Sequence, residues 1–199
     1  MPFPHSADCE LRLASDQDSA SIIALVGLCF RPYHRCWLDV NREEPGLLTP
    51  TSSFARFWVL SHRDRVYATV ALTEHEVQLD GVAHAGVELK KCYVHPALRG
   101  QRVATRLVRL VEEHAAGRRR DVVELWSDTR FTLAHAVYEH LGYRRTGLVR
   151  ALHDISDTLE FHFAKSLPSR RGGHRRGSPW SCRMPRWRSA LHGARPPRP

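Results

Sequence analysis

Long apolar runs are absent from this chain of 199 residues: nowhere do about 18 consecutive apolar residues occur, so no segment reads as a membrane-spanning helix. Cysteine is scarce and odd in number. Cys9, Cys29, Cys36, Cys92 and Cys182 show no C-x-x-C spacing, which excludes a disulfide framework and a structural zinc site of the usual spacing. Thirteen histidines reopen the metal question, yet no H-E-x-x-H and no paired Cys/His cluster is present, and no metal is expected. Met1 to Ala7 lack the apolar core of a signal peptide. The expectation is a reduced, cytoplasmic protein without a membrane partner. Acidic residues are missing from one region altogether. After Leu167 there is no Asp, Glu or Lys, but nine of the 30 basic side chains lie there, all arginine. Residues 1–167 therefore hold 21 basic and 21 acidic side chains, and the net charge of +9 belongs to the tail.

That division sets the domain organisation: a short flexible N-terminus (1–9), a folded body (10–167) and a tail (168–199) rich in Arg, Pro and Gly. The tail has no apolar periodicity and is expected to be disordered, because it buries too little surface to offset chain entropy. Three readings of it stay open. It binds a polyanion or nucleic acid through arginine, with Trp180 and Trp187 stacking on bases. Alternatively it is a solvated extension, or a translated segment with no role.

Within the body, Glu10 to Ala14 reads as a strand and Asp18 to Phe30 as an amphipathic helix, with Ser15-Asp16 as its cap. Residues 31–53 are irregular, broken by Pro32, Pro45, Gly46 and Pro50. Their Tyr33, Trp37, Asp39, Glu43 and Glu44 suit the roof of a substrate site. Phe57–Leu60, Val66–Thr73, Glu76–Leu79 and Val87–Val94 follow as strands, with turn signals at Asp64-Arg65 and Asp80-Gly81. Asp121–Ser127 is a further strand, Leu133–Leu141 a helix closed by Gly142, and Tyr143–Val149 and Leu159–Ala164 complete the sheet. The fold class is α/β (α+β), a three-layer sandwich around a mixed sheet of about seven strands.

The stretch from Val87 to His114 is the most telling. A strand ends at His95-Pro96, a short loop carries Arg99 and Gly100, and a helix begins with apolar positions at Val103, Leu107, Val108, Leu110 and Val111. Unpaired N–H groups and the positive end of the helix dipole then face the loop, an arrangement suited to phosphate or pyrophosphate.

Arg99-Gly100-Gln101-Arg102-Val103-Ala104 behind a strand resembles the acetyl-CoA signature Q/R-x-x-G-x-G/A of the GNAT superfamily of N-acetyltransferases. Some 30 residues on, Ala134-His135-Ala136-Val137-Tyr138-Glu139-His140-Leu141-Gly142-Tyr143 is similar to that family's second marker. The resemblance covers roughly residues 10–166. Two positions depart from it. Arg102 replaces the middle glycine, and Phe131, flanked by Thr129, Arg130 and Thr132, stands where the family usually has Asn.

The resemblance implies acetyl transfer from acetyl-CoA to a small amine or peptide amine by direct attack, in a monomer or homodimer. It implies diphosphate on the amides of Gly100, Gln101, Arg102, Val103, Ala104 and Thr105, beside Arg99. The pantetheine arm would run along Cys92, Tyr93 and Val94 like an added strand. Tyr138 would protonate the leaving thiolate, and Glu88 would accept the amine's proton, with Glu124 or water as rivals. Alternation along Val87–Val94 puts Glu88 on one face with Lys90, Cys92 and Val94. Cys92 reads as a small buried hydrophobe. Two alternatives remain open: a catalytically idle acyl-CoA-binding regulator, and polyanion or nucleic-acid binding through the tail.

Overall fold

One long ribbon of two strands organises the molecule. β3 (Arg65–Leu79) and β4 (Val82–Val94) are joined by Asp80-Gly81, whose φ angles are both positive, 50° and 78°. Two left-handed residues in succession make the tight turn whose twist matches that of the flanking strands. The computed structural model describes residues 3–168 and the residue pair Arg188–Ser189, so the remainder of the tail, and with it the reading of that tail as disordered, lies outside the described residues.

Around the ribbon stand β1 (Glu10–Leu13), α1 (Ser19–Phe30), a four-residue helix α2 (Pro50–Ser53), β2 (Arg56–His62), α3 (Val103–Gly117), β5 (Val122–Asp128), α4 (Thr132–His140), β6 (Arg144–Ala151) and β7 (Leu159–Ser166). Arg188–Ser189 forms β8, which pairs in parallel with β1. The sheet order is β6-β7-β5-β4-β3-β2-β1-β8. Within residues 3–168 the β4–β5 pair is parallel and its neighbours are antiparallel, the mixed sheet expected.

The expected break between Val66–Thr73 and Glu76–Leu79 does not exist. The ladder runs through Glu74 and His75, which pair with Val87 and Gly86. Both polar side chains find partners across β4, on β5 or the segment that leads into it: Arg118 and Arg120 hold Glu74, and His75 donates to Glu124 over 2.7 Å. Partnered in this way, polar residues need not interrupt a strand.

α3 buries Val103, Leu107, Val108, Val111 and Ala115, one face at helical spacing. With α4 it covers the sheet face that carries Val70, Leu72, Val87, Leu89, Val123, Leu125 and Phe163. α1 covers part of the opposite face, setting Ile22, Leu25 and Val26 against Phe57, Val59 and Ala71. Each fully buried aliphatic side chain contributes about 1.5–3 kcal/mol. α4 ends where the sequence said. Gly142 has φ 87°, its N–H donates to the Glu139 carbonyl, and the Tyr143 N–H donates to that of Tyr138. These are the two bonds of a Schellman cap.

β4 and β5 share a register only at Gly86–Val122, Val87–Val123 and Glu88–Glu124. Beyond Glu88 they diverge, β4 running on to Val94 beside β3 and β5 to Asp128 beside β7. The sheet splits at the carboxyl ends of its two parallel strands, and the site lies in that split.

Candidate active site

A cleft of about 990 Å3 fills the split and continues beneath residues 30–44. Its first wall is the second half of β4. Thr69 pairs with Tyr93 and Ala71 with Lys90, so Val70 alone opposes both Lys91 and Cys92. The extra residue is a β-bulge, and Lys91 takes a left-handed φ of 52° to make it. Thr69 Oγ1 donates to the Lys91 carbonyl over 2.7 Å, and Lys91 Nζ forms an ion pair with Glu44.

The bulge corrects the expected alternation. Glu88 and Lys90 share the α1 face with Tyr93, whereas Cys92 and Val94 turn to the α3/α4 face with Val87 and Leu89. All of Glu88, Cys92, Tyr93 and Val94 still line the cleft.

β4 stops at His95, whose N–H donates to the Tyr67 carbonyl over 2.8 Å. Main-chain donors alternate sides along a strand, so the Val94 N–H points toward the split. A 3-10 turn (Pro96–Leu98) follows, capped by His95 Nδ1 accepting from the Ala97 N–H. Gly100 then has φ 75° and Arg102 φ 56°, and α3 begins at Val103. The arginine in place of glycine thus holds the left-handed conformation that glycine favours. Arg99, Gly100, Arg102, Val103, Ala104 and Thr105 line the cleft. The Gln101 side chain does not. It accepts from the Ser6 N–H and donates to the Ala97 carbonyl, and Phe3 packs at a tilt against His95, so residues 3–6 brace the loop from behind.

The second wall comes from α4 and the end of β5. Tyr138 is buried with its hydroxyl against the Cys92 thiol. Burial, with that thiol's help, lifts the phenol well above its ordinary value and keeps it protonated. Burial likewise pushes the Cys92 thiol up to about 12, which makes it an inert packing group. Phe131 packs against Tyr33 (4.8 Å between ring centroids) and Phe30 (5.8 Å), and Phe30 against Tyr93 (5.8 Å). An aromatic wall stands where an Asn would have donated a hydrogen bond.

The expected roof is in place: Tyr33, Trp37, Asp39, Glu43 and Glu44 line the cleft. Its fastening was not legible in the sequence. Arg130, paired with Asp128, donates to the Arg35 carbonyl (2.7 Å) and to Thr158 Oγ1 (3.0 Å). Ser156 Oγ accepts from the Trp37 N–H (2.8 Å) and donates to the Trp37 carbonyl (3.3 Å).

Glu88 lies 2.8 Å from Lys90 Nζ and 4.0 Å from Arg150, which also binds Glu160 at 2.7 Å and stacks over Trp126. Trp126, Arg150 and Glu160 were not singled out. Trp126 carried a local signal, because alternation along β5 turns it away from buried Leu125. Glu124, the rival base, is buried between His75 and His162 and does not line the cleft. Burial alone would raise its carboxyl, but the hydrogen bonds from His162 and His75 outweigh that and hold it below its ordinary value.

The family model described as "Acetyltransferase (GNAT) family" matches residues 20–143, more than half of the chain. This protein belongs to the GNAT acetyltransferase family. No curated sequence relative matches it. Solved GNAT structures share its fold. A GNAT-family acetyltransferase from Staphylococcus aureus Mu50 superposes with a TM-score of 0.64 at 16% identity, covering 80% of this chain and 99% of its own. NAA60 from Arabidopsis thaliana, solved with a bisubstrate analogue, gives 0.62 at 12% identity, covering 79% and 97%. The yncA protein of Salmonella typhimurium, solved with its cofactor acetyl-CoA, gives 0.59 at 15% identity, covering 83% and 98%.

Proposed function

We propose that this GNAT protein transfers an acetyl group from acetyl-CoA to a primary amine by direct attack within a ternary complex. The observation that carries the reading is the split of β4 from β5, closed at one end by a loop with two left-handed residues and a helix start. A pantetheine arm is peptide-like and pairs with the free edge of β4 at residues 92–94 as a strand would. The diphosphate rests on the main-chain amides of Gly100 to Thr105, with Arg99 and Arg102 alongside.

In this arrangement the Val94 N–H meets the charge that develops on the thioester oxygen. Glu88, across the bulge, takes the amine's proton directly or through water. Tyr138, kept neutral by burial, donates to the leaving sulfur. Cys92 forms no covalent intermediate.

Two measurements test the reading together. Calorimetry should show acetyl-CoA binding, and thiol release should show turnover with an amine acceptor. Tyr138→Phe should lower kcat by about 10²-fold, the lower end for loss of a general acid, and leave KM for acetyl-CoA within about twofold. Full activity would remove Tyr138 from its role, and absence of binding would remove the enzymatic reading. Thermal protection by acetyl-CoA without CoA release across an amine panel would instead mark an acyl-CoA-binding regulator, the reading that Phe131 in the Asn position favours.

A further inference from the structure

We infer that the acceptor is a zwitterionic amino acid with an apolar side chain, its amine directed at Glu88 and its carboxylate at Arg150 and Lys90. This rests on the acetyl-transfer reading and names the substrate class of the same cleft.

The roof's acidic residues alone suggest a polycation, but their partners argue against one. Glu44 pairs with Lys91, Glu88 with Lys90 and Glu160 with Arg150. Asp39, Glu43 and Asp154 accept main-chain N–H groups of Arg42, Ile155 and Thr158. A lone ammonium reaching Glu88 would have to displace Lys90 and leave that cation unpartnered in a half-buried site, which is costly. A zwitterion carries its own counter-charge. As its ammonium approaches Glu88, its carboxylate occupies the cations that flank that residue, and every charge stays matched. Arg150 suits this role: its plane is held over Trp126 at 4.3 Å, its side chain is 40% exposed, and it reaches toward both Glu160 and Glu88.

Exposed apolar surface also faces the acceptor side. Trp37, 61% exposed, Trp126 and Leu152, 42% exposed, face the cleft, and nothing among the described residues covers Trp37 or Leu152 as a core would. The bracket of Arg130 and Ser156 ties the roof to residues 156–158, so a short molecule fits beneath it more readily than a protein side chain. In the reaction one N–C bond forms and the thioester C–S bond breaks. Of the two protons the ammonium gives up, one ends on the CoA sulfur through Tyr138 and one leaves through Glu88 to water. The products are the N-acetyl amino acid and CoA.

The experiment compares kcat/KM at saturating acetyl-CoA for L-phenylalanine and L-leucine, for phenethylamine and isoamylamine (the same bodies without the carboxylate), for spermidine and for an alanine-leading tetrapeptide. A charge-assisted contact to the carboxylate should favour each amino acid over its amine by about tenfold or more. Arg150→Gln should shrink that ratio below about threefold, and Arg150→Lys should keep part of it. Saturation-transfer NMR on the CoA-loaded protein should show phenylalanine bound and the signal lost in Arg150→Gln. The inference is overturned if the amines match the amino acids, if spermidine or the peptide is best, if Arg150→Gln keeps the ratio, or if phenylalanine neither turns over nor gives an NMR signal. Failure of acetyl-CoA to bind in a separate calorimetric titration overturns the transfer reading instead, so the two failures are told apart.

Discussion

Arg102→Gly should make this protein more stable, an unusual outcome for a substitution in a loop proposed to hold a ligand. Arg102 holds φ 56°, ψ 24° at the first step into α3, and a left-handed residue with a Cβ costs about 1–2 kcal/mol. Glycine removes that cost but gains freedom in the unfolded chain, which takes back about 0.4–1 kcal/mol. The net expectation is roughly 0.5–1 kcal/mol of added stability, or about 1–4 °C in Tm for a body of this size. Arg102→Ala is the control, because alanine keeps the Cβ penalty while removing the same guanidinium. Urea unfolding of the three proteins with a shared m-value gives the comparison: Gly above wild type, Ala level with it or below. Both variants should weaken acetyl-CoA by a similar, salt-sensitive factor of about three to ten, since both lose one partly solvated cation near a phosphate. If Gly is no more stable than Ala, the left-handed geometry carries no strain and the reasoning fails. If Gly binds acetyl-CoA as wild type does and Ala does not, the backbone matters and the side chain does not.

Glu88→Gln should lower kcat by about 10²-fold, most at low pH, where unprotonated amine is scarcest; a pH–rate profile parallel to wild type would move the base to water. Gly86→Ala should cost about 1–3 kcal/mol, or roughly 3–10 °C in a thermal melt, because a Cβ there collides with the Val77 side chain and sits 3.1 Å from the Val122 carbonyl oxygen; an unchanged melt would show the ribbon to be more yielding than its packing implies. Stability should fall on acidification through the histidine range. Burial, helped by Arg65 and Arg99, holds His95 below its ordinary 6.5, and burial foremost lowers His114 and His135 as well. The unfolded chain then binds more protons, so the stability from these groups is fully present above about pH 6.5 and declines as pH falls toward their folded values. A urea midpoint flat between pH 7.5 and 5.5 would contradict this.

Much of the fold was legible because its signals are local. The buried stripe of α3, the glycine that ends α4 and the Asp80-Gly81 turn each depend on residues a few positions apart. The strand–loop–helix at 94–105 was readable for the same reason. What escaped depends on distant partners. Arg130 and Ser156 fasten the roof through bonds to residues 95 and 119 positions away, and no periodicity announces such pairs. Glu74 and His75 read as a break because the residues that hold them lie 46 and 49 positions on. Gln101 sits inside the motif, yet its side chain serves the N-terminal arm. The bulge at Lys91 was hidden for another reason: lysine is not a residue that advertises a positive φ, so simple alternation placed Cys92 and Val94 on the wrong face.

That one inserted position has a consequence for how the strand divides its labour. In the proposed reaction, Glu88 and Lys90 upstream of Lys91 stand on the side of the incoming nucleophile, and Cys92 and Val94 downstream, on the opposite face, on that of the departing sulfur. Donor and acceptor chemistry thereby share a single backbone while addressing opposite sides of it, a few ångströms apart. Deleting Lys91 would straighten the ladder and leave Cys92 and Val94 on their present face, whereas keeping it in regular alternation would turn both to the wrong compartment.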